Sequence, residues 1–424
     1  MTDTALRLIQ DALNRAVDRG EVTGANILVL HKGRERWYAE AGMRNIAKNQ
    51  PMTRDTIFRM YSMTKPITAT AAMMLVERGI LDLEAPVREY LPGFANQRVT
   101  RHYAEEIAAG IPTEAVGAGG LKPGDGEDTV PVKRDVRVKD LLTMTAGCVY
   151  PNQAYEAGRL AGAFFGEVDA RLRDGNPMGT VEFANRVGQL PLAFQPGEHF
   201  EYGTCADVVG AIVEVASGRR LGDFMREEIF EPLGMSDTSF YVRERDLPRL
   251  AAAYDNPAAP MFPERASSDG SLVEAVSNHL GVPYAATKDP VFQAGGAGLR
   301  STVDDYARFA RMLMGRGEAD GVRLLQPLTV DLMTTNALFE DQRRDIRDWL
   351  PGCGYNCFMR VLEEPGKARM LARRGEYGWD GWLGTYWVND PAADMSFLFG
   401  VQITNAGTLP VVRKLKNIVA THLD

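Results

Sequence analysis

Cysteine is scarce in this chain: Cys148, Cys205, Cys353 and Cys357 are the only four among 424 residues. No two are spaced as CxxC, and no histidine lies close in sequence to Cys353 or Cys357, so reduced thiols in packed positions are expected. The five histidines (His31, His102, His199, His279 and His422) are scattered, with no HExxH, so neither a metal nor a cofactor is expected. No apolar run approaches the roughly 18 residues of a membrane helix, so no membrane association is expected. The N-terminal stretch carries Arg7, Asp11, Arg15, Asp18 and Arg19, which leaves no apolar leader core, and a cytoplasmic protein is expected. The net charge is -8 and no run of lysine or arginine occurs, which argues against nucleic-acid partners. No Gly-x-Ser-x-Gly elbow is present, which argues against an α/β-hydrolase triad. Gly295-Gly296-Ala297-Gly298 lacks both GxGxxG spacing and a preceding strand, which argues against nucleotide binding.

The patterning that is present divides the chain. Leu6, Ile9, Leu13 and Val17 form a helical stripe over residues 3 to 20. Two strand-like runs follow, Ala25 to Leu30 and Arg36 to Ala41, around a turn at His31 to Arg34. Residues 94 to 135 are glycine-rich and irregular, with a short helix expected at His102 to Ala109; a loop this long suggests a lid. From 136 to about 284 the pattern is mainly helical, including Val138 to Met144, Tyr155 to Arg173, Val181 to Leu190, Cys205 to Ala216 and Leu221 to Phe230. Ser301-Thr302-Val303-Asp304 carries a helix-start signature. A second hairpin is expected from Gly384 to Ile403, and a last helix places Val411, Leu415 and Ile418 on one face. An α+β protein follows, with one domain built from residues 1–85 and 288–424 and an inserted, mainly helical domain over 86–287.

Ser62-Met63-Thr64-Lys65 is the only Ser-x-x-Lys string in the chain. It precedes an amphipathic helical pattern, Ala69 to Gly79, with Ala72, Met73, Leu75 and Val76 at helical spacing. Pro66 is tolerated only in a first turn, so the helix starts no earlier than about Ser62. That sets the Ser62 hydroxyl at the positive helix end, with Lys65 one turn away on the same face. A serine needs a base to become a nucleophile, and a lysine serves only when burial or a nearby cation makes it neutral.

With these residues the chain resembles the serine β-lactamase-like hydrolases: class C β-lactamases, penicillin-binding-protein-type peptidases and family VIII carboxylesterases. The likeness runs through Phe58 to Thr68, Asp140 to Gly147, Gln195 to Tyr202, Ile229 to Thr238, Gly295 to Asp305 and Gly378 to Pro391. It implies a β-lactamase/transpeptidase-like fold, an antiparallel sheet flanked by helices with an inserted helical domain. It also implies Ser62 as nucleophile, with Lys65 and Tyr202 together as its base. Tyr202-Gly203-Thr204 stands where the family carries Tyr-x-Asn, keeping the tyrosine as a proton relay and losing the asparagine. Trp379-Asp380-Gly381, followed by Trp382 on a strand, stands where β-lactamases carry Lys-Thr-Gly. The oxyanion hole is implied at the backbone N–H groups of Ser62 and Trp382, and the substrate-binding residues at Tyr61, Thr204, Trp379, Asp380 and Gly381.

Asp380 would repel a substrate carboxylate, so weak or no β-lactamase activity is expected; otherwise it forms a surface salt bridge with Arg373 or Arg374. The expected function is a carboxylesterase acting on a small neutral ester or amide. An amidase or D-aminopeptidase for amine-bearing substrates, an acyltransferase, and a catalytically silent binding protein stay open, as does a homo-oligomer.

Overall fold

Both ends of the chain meet in one antiparallel sheet of eight strands. The computed structural model describes residues 3–103, 105, 126, 128–256, 259, 272–285 and 287–423. Most of the helix expected at His102 to Ala109, and the middle of the 94–135 segment, lie outside the described residues. The flanks of that segment pair as short strands, Arg98–Thr100 with Thr129–Pro131.

The N-terminal part supplies β1 (Gly24–His31), β2 (Arg34–Asn45) and β3 (Gln50–Pro51). The C-terminal part supplies β4 (Cys353–Asn356), β5 (Met359–Leu362), β6 (Tyr377–Asp380), β7 (Tyr386–Asp390) and β8 (Met395–Gly400). The order across the sheet is β4-β5-β6-β7-β8-β1-β2-β3, so β8 and β1 join the two ends, with Leu28 opposite Leu398. The β1–β2 turn is Lys32-Gly33, both left-handed, which suits the twist of a tight hairpin. β1 is buried along almost its whole length because both faces of the sheet are covered. On one face lie α1 (Thr4–Asp18) and, in the last segment of the chain, a helix over Pro410–His422, with Ile9, Leu13, Ile27, Phe397, Val412 and Leu415 between them. Asp3 caps α1, accepting from the N–H groups of Ala5 and Leu6. The buried stripe of α1 is Ala5, Ile9, Ala12, Leu13 and Ala16; Leu6 and Val17 flank it.

The other face rests on α2 (Thr64–Glu77) and a helix over Val303–Met314, whose start is capped by Thr302. α2 departs from the expected amphipathic helix: it is buried from Thr64 to Leu75. Its threonines look like a polar face in sequence, but each finds an internal partner. The Thr68 hydroxyl donates to the Gly295 carbonyl at 2.7 Å, that of Thr70 to Pro66 at 2.9 Å, and the Thr64 hydroxyl accepts from Leu299 N–H at 3.1 Å. Beyond α2 lie the helices of the middle segment: α3 (Val138–Leu142), α4 (Glu156–Arg173), α5 (Thr180–Gln189) and α6 (Cys205–Ser217). Among the described residues no helix is long and apolar enough to cross a membrane.

Trp387 on β7 is fully buried, faces Trp379 across the strand pair, and donates its indole N–H to Asn389 at 3.0 Å. Trp387→Ala is expected to lower stability to urea by about 3–5 kcal/mol, the range for emptying an aromatic core site. A loss under about 1 kcal/mol would show that this layer of the core is not closely packed.

Candidate active site

Ser62 sits in a single tight turn, Tyr61–Met63, that runs into α2, with Pro66 in the helix's first turn. Tyr61 is left-handed at φ +43°, an uncommon conformation for an aromatic residue. It is held there by its surroundings: its ring packs edge-on to Trp382 at 4.9 Å and against His279 at 5.9 Å. The turn itself is fixed by Met60 N–H to Leu299 O at 2.9 Å and Met63 N–H to Met60 O at 3.1 Å.

Lys65 is completely buried. Its Nζ lies 3.1 Å from Ser62 Oγ, 3.1 Å from the Tyr150 hydroxyl and 2.8 Å from the Gly296 carbonyl. Burial pushes the ammonium down to about 8; Asp207 is the foremost group pulling it back up, with Cys205 and Asp380 behind. Tyr202 completes the cluster. Lys65 Nζ is 4.7 Å from its ring centre, and its hydroxyl accepts from Trp379 Nε1 at 3.0 Å. Burial raises the Tyr202 phenol, while hydrogen bonds with Ser62 and Trp379 oppose the rise.

These groups open onto a cavity of about 490 Å³ whose lining includes Ser62, Tyr202, Trp349, Trp379, Gly381 and Trp382. Of the residues singled out from sequence, the structure gathers Ser62, Lys65, Tyr202, Trp379, Asp380, Gly381 and Trp382 here. It sets two aside. Tyr61 is buried behind Trp382, and Thr204 is buried beside Cys148; neither lines the cavity. Trp382 is not on a strand: β6 ends at Asp380, and Trp382 occupies a turn closed by Gly384 N–H to Gly381 O at 2.8 Å. At the first inner position of that turn its own N–H takes no part in the closing bond. Gly381 allows a close approach, but to the protein itself: a Cβ there would lie 2.5 Å from Met60 O and 2.3 Å from Thr385 Oγ1. Asp380 pairs with neither Arg373 nor Arg374. It accepts from Arg360 Nη1 at 3.2 Å and from the Thr408 hydroxyl at 2.8 Å, whereas Arg373 bonds Asp390.

Tyr150 and Asp207 carry no local sequence signal. Tyr150 follows Cys148-Val149, which bridges Gly203 so closely that a Cβ at 203 would lie 2.0 Å from Cys148 O. That contact brings the segments carrying the two tyrosines together, with 5.8 Å between ring centres. The glycine run at 295–298 serves the structure of the site, since Gly296 O holds Lys65 and Gly295 packs against α6. Among the described residues no group of His, Cys, Asp and Glu is arranged to hold a metal ion, and the cysteines are free.

A family model described as Beta-lactamase matches residues 9–417. Protein Rv1367c of Mycobacterium tuberculosis is 33% identical over 399 residues, covering 93% of this chain and 89% of that protein. Esterase EstB of Burkholderia gladioli is 27% identical over 395 residues, covering 91% of this chain and 87% of the esterase. The solved structure of EstCE1, a hydrolase with promiscuous acyltransferase activity, matches with a TM-score of 0.74 at 24% identity, covering 99% of each chain.

The depressed Lys65 has a stability consequence with a definite sign. Unfolded, the amine holds its proton up to its ordinary value of 10.5; folded, it releases it near 8. Between those values the unfolded chain binds more protons, so the lysine's contribution to stability rises with pH across that window. The stability of the wild type relative to Lys65→Met is expected to improve by up to about 3 kcal/mol between pH 7 and 10.5. A difference that stays constant with pH in urea titrations would contradict the buried-ammonium account.

Proposed function

The chain belongs to the beta-lactamase family as a serine hydrolase of that fold, and from that premise we propose that it cleaves carboxylic esters through an acyl-enzyme on Ser62. The observation that carries this reading is the 3.1 Å contact between Nζ of the fully buried Lys65 and Ser62 Oγ, which opens onto the cavity. A lysine whose ammonium is pushed down to about 8 is neutral in a useful fraction of molecules near neutral pH. Neutral Lys65 takes the Ser62 proton, and Ser62 Oγ attacks the ester carbonyl. The backbone N–H groups of Ser62 and Trp382 receive the oxyanion. Tyr202, beside Ser62, passes a proton to the departing alkoxide. Water then releases the acyl group, and the protons return to their starting positions. The reacting groups come from both parts of the chain, Ser62 and Trp382 from 1–85 and 288–424, Tyr202 from the helical 86–287.

Esters fit better than amine-bearing substrates because the Asp380 carboxylate is already engaged by Arg360 and Thr408. The likeness to EstB, an esterase, supports the same choice. The pairing with Arg360 also removes the repulsion argument against anionic substrates; the expectation of weak β-lactam turnover then rests on the absence of the Lys-Thr pair alone. A second reading is acyl transfer, in which an alcohol replaces water; the likeness to EstCE1, a hydrolase with promiscuous acyltransferase activity, favours keeping it.

Incubation with a fluorophosphonate probe, beside p-nitrophenyl butyrate turnover, tests the reading. One adduct and measurable turnover are expected in the wild type, with both lost in Ser62→Ala. Tyr202→Phe is expected to keep the adduct and lose about 10²-fold or more in kcat. A wild type that neither labels nor turns over would leave a silent binding protein as the better account.

A further inference from the structure

We propose that Asp207 is a positioning residue that sets the working pH of this site: its buried carboxylate, linked to Lys65 through Gly296, is the counter-charge that decides when the lysine is neutral. The inference rests on the reading of Lys65 as the base for Ser62. Asp207 lies in the first turn of α6, where the helix favours a negative charge, and it is 4% exposed. Its Oδ1 accepts from Gly296 N–H at 2.8 Å, and the Gly296 carbonyl accepts from Lys65 Nζ at 2.8 Å. The carboxylate and the lysine therefore grip opposite sides of one glycine.

The fit around that glycine is close. A Cβ at 296 would lie 2.8 Å from Asp207 Oδ2, and a Cβ at 295 would lie 2.5 Å from Ala206 O. Two glycines let the loop close on α6 and bring Lys65 within the field of Asp207. Other groups face the lysine as well: Ser62 from its own turn, Tyr150, Tyr202, Cys205 from α6 and Asp380 from β6. The two phenols are kept protonated by burial, and the Cys205 thiol by its hydrogen bond with Cys148 and then by burial. Asp380 shares its charge with Arg360. That leaves Asp207 as the anion whose charge Lys65 meets with no competing cation among the described residues. Burial raises the Asp207 carboxyl to about 6, and Lys65 is the first group that opposes the rise. Above that pH the carboxylate is charged and holds the lysine's proton more firmly; a base matched to its working pH is the result.

The test is the pH dependence of fluorophosphonate labelling at Ser62, followed by intact mass. Asp207→Asn keeps the amide oxygen as acceptor for Gly296 N–H and removes only the charge. Its acid limb is expected to move down by about one pH unit, the lower range for losing an opposite charge nearby. Asp207→Ala is expected to show the same displacement with slower labelling at every pH, because the loop loses its tether. An Asp207→Asn limb that coincides with the wild type's would reduce Asp207 to a structural tether and overturn the proposal. If Asp207→Asn does not fold, the wild-type profile decides: labelling should fall by less than tenfold per pH unit through the region near pH 6, where Asp207 gains its proton. A single-proton slope through that region would overturn the proposal. Wild-type protein that fails to label at any pH would instead remove the Ser62 reading on which the inference stands.

Discussion

A lysine with no exposed surface stands at the centre of this molecule, and much of the surrounding structure exists to hold it there. An isolated buried ammonium is too unfavourable to persist, so a folded protein either pairs it, hydrogen-bonds it or lets it go neutral. Lys65 has a carbonyl, a phenol and the Ser62 hydroxyl at its three donor positions. Supplying that carbonyl requires the Gly295-Gly296 loop to lie flat on α6, which only residues without a Cβ permit. Supplying the phenol requires the Cys148–Tyr150 segment to touch Gly203, again a contact that a Cβ would forbid. The threonines of α2 complete the arrangement: Thr68 and Thr70 donate their hydroxyls to backbone carbonyls and Thr64 accepts from Leu299 N–H, so the helix is buried from Thr64 to Leu75 with these hydroxyls partnered.

The sheet does the complementary work. Because β8 lies against β1, the last strands of the chain are brought over the segment that precedes Ser62. The end of β6 then reaches Met60, where Gly381 and the Thr385 hydroxyl meet its carbonyl. The Trp382 turn and the Ser62 turn are thereby fixed side by side, and Tyr61, strained between them, is locked by the Trp382 and His279 rings. Trp379, two residues before Gly381, reaches across to Tyr202. The cavity beside these rings is lined by apolar side chains and also by charged ones, the Arg360–Asp380 pair together with Arg369, Glu376 and Arg413.

Several of these features were legible in the sequence for physical reasons. Ser62 and Lys65 announced themselves because their relation is local: one helical turn, with Pro66 fixing where the helix begins. The outer helix α1 and the hairpins β1–β2 and β7–β8 carried their own periodicity and turn residues. The β4–β5 hairpin did not: its turn, Cys357-Phe358, is left-handed at both residues yet contains neither glycine nor asparagine, so nothing marked it. α2 looked amphipathic because threonine scores as polar whether its hydroxyl meets water or a buried carbonyl. Tyr150, Asp207 and Arg360 act through partners 85, 89 and 20 residues away, for Lys65, Gly296 and Asp380 in turn, and single-chain patterns hold no trace of such pairings.

The central claim is that Ser62 carries an acyl group during turnover because buried Lys65 activates it. The most direct test is to quench the wild-type protein with acid while it is turning over p-nitrophenyl butyrate and to map the peptides by mass. The account predicts a butyryl group on the peptide that contains Ser62, and on no other. A butyryl group found on another nucleophile, or steady turnover with no acylated peptide at any quench time, would contradict it.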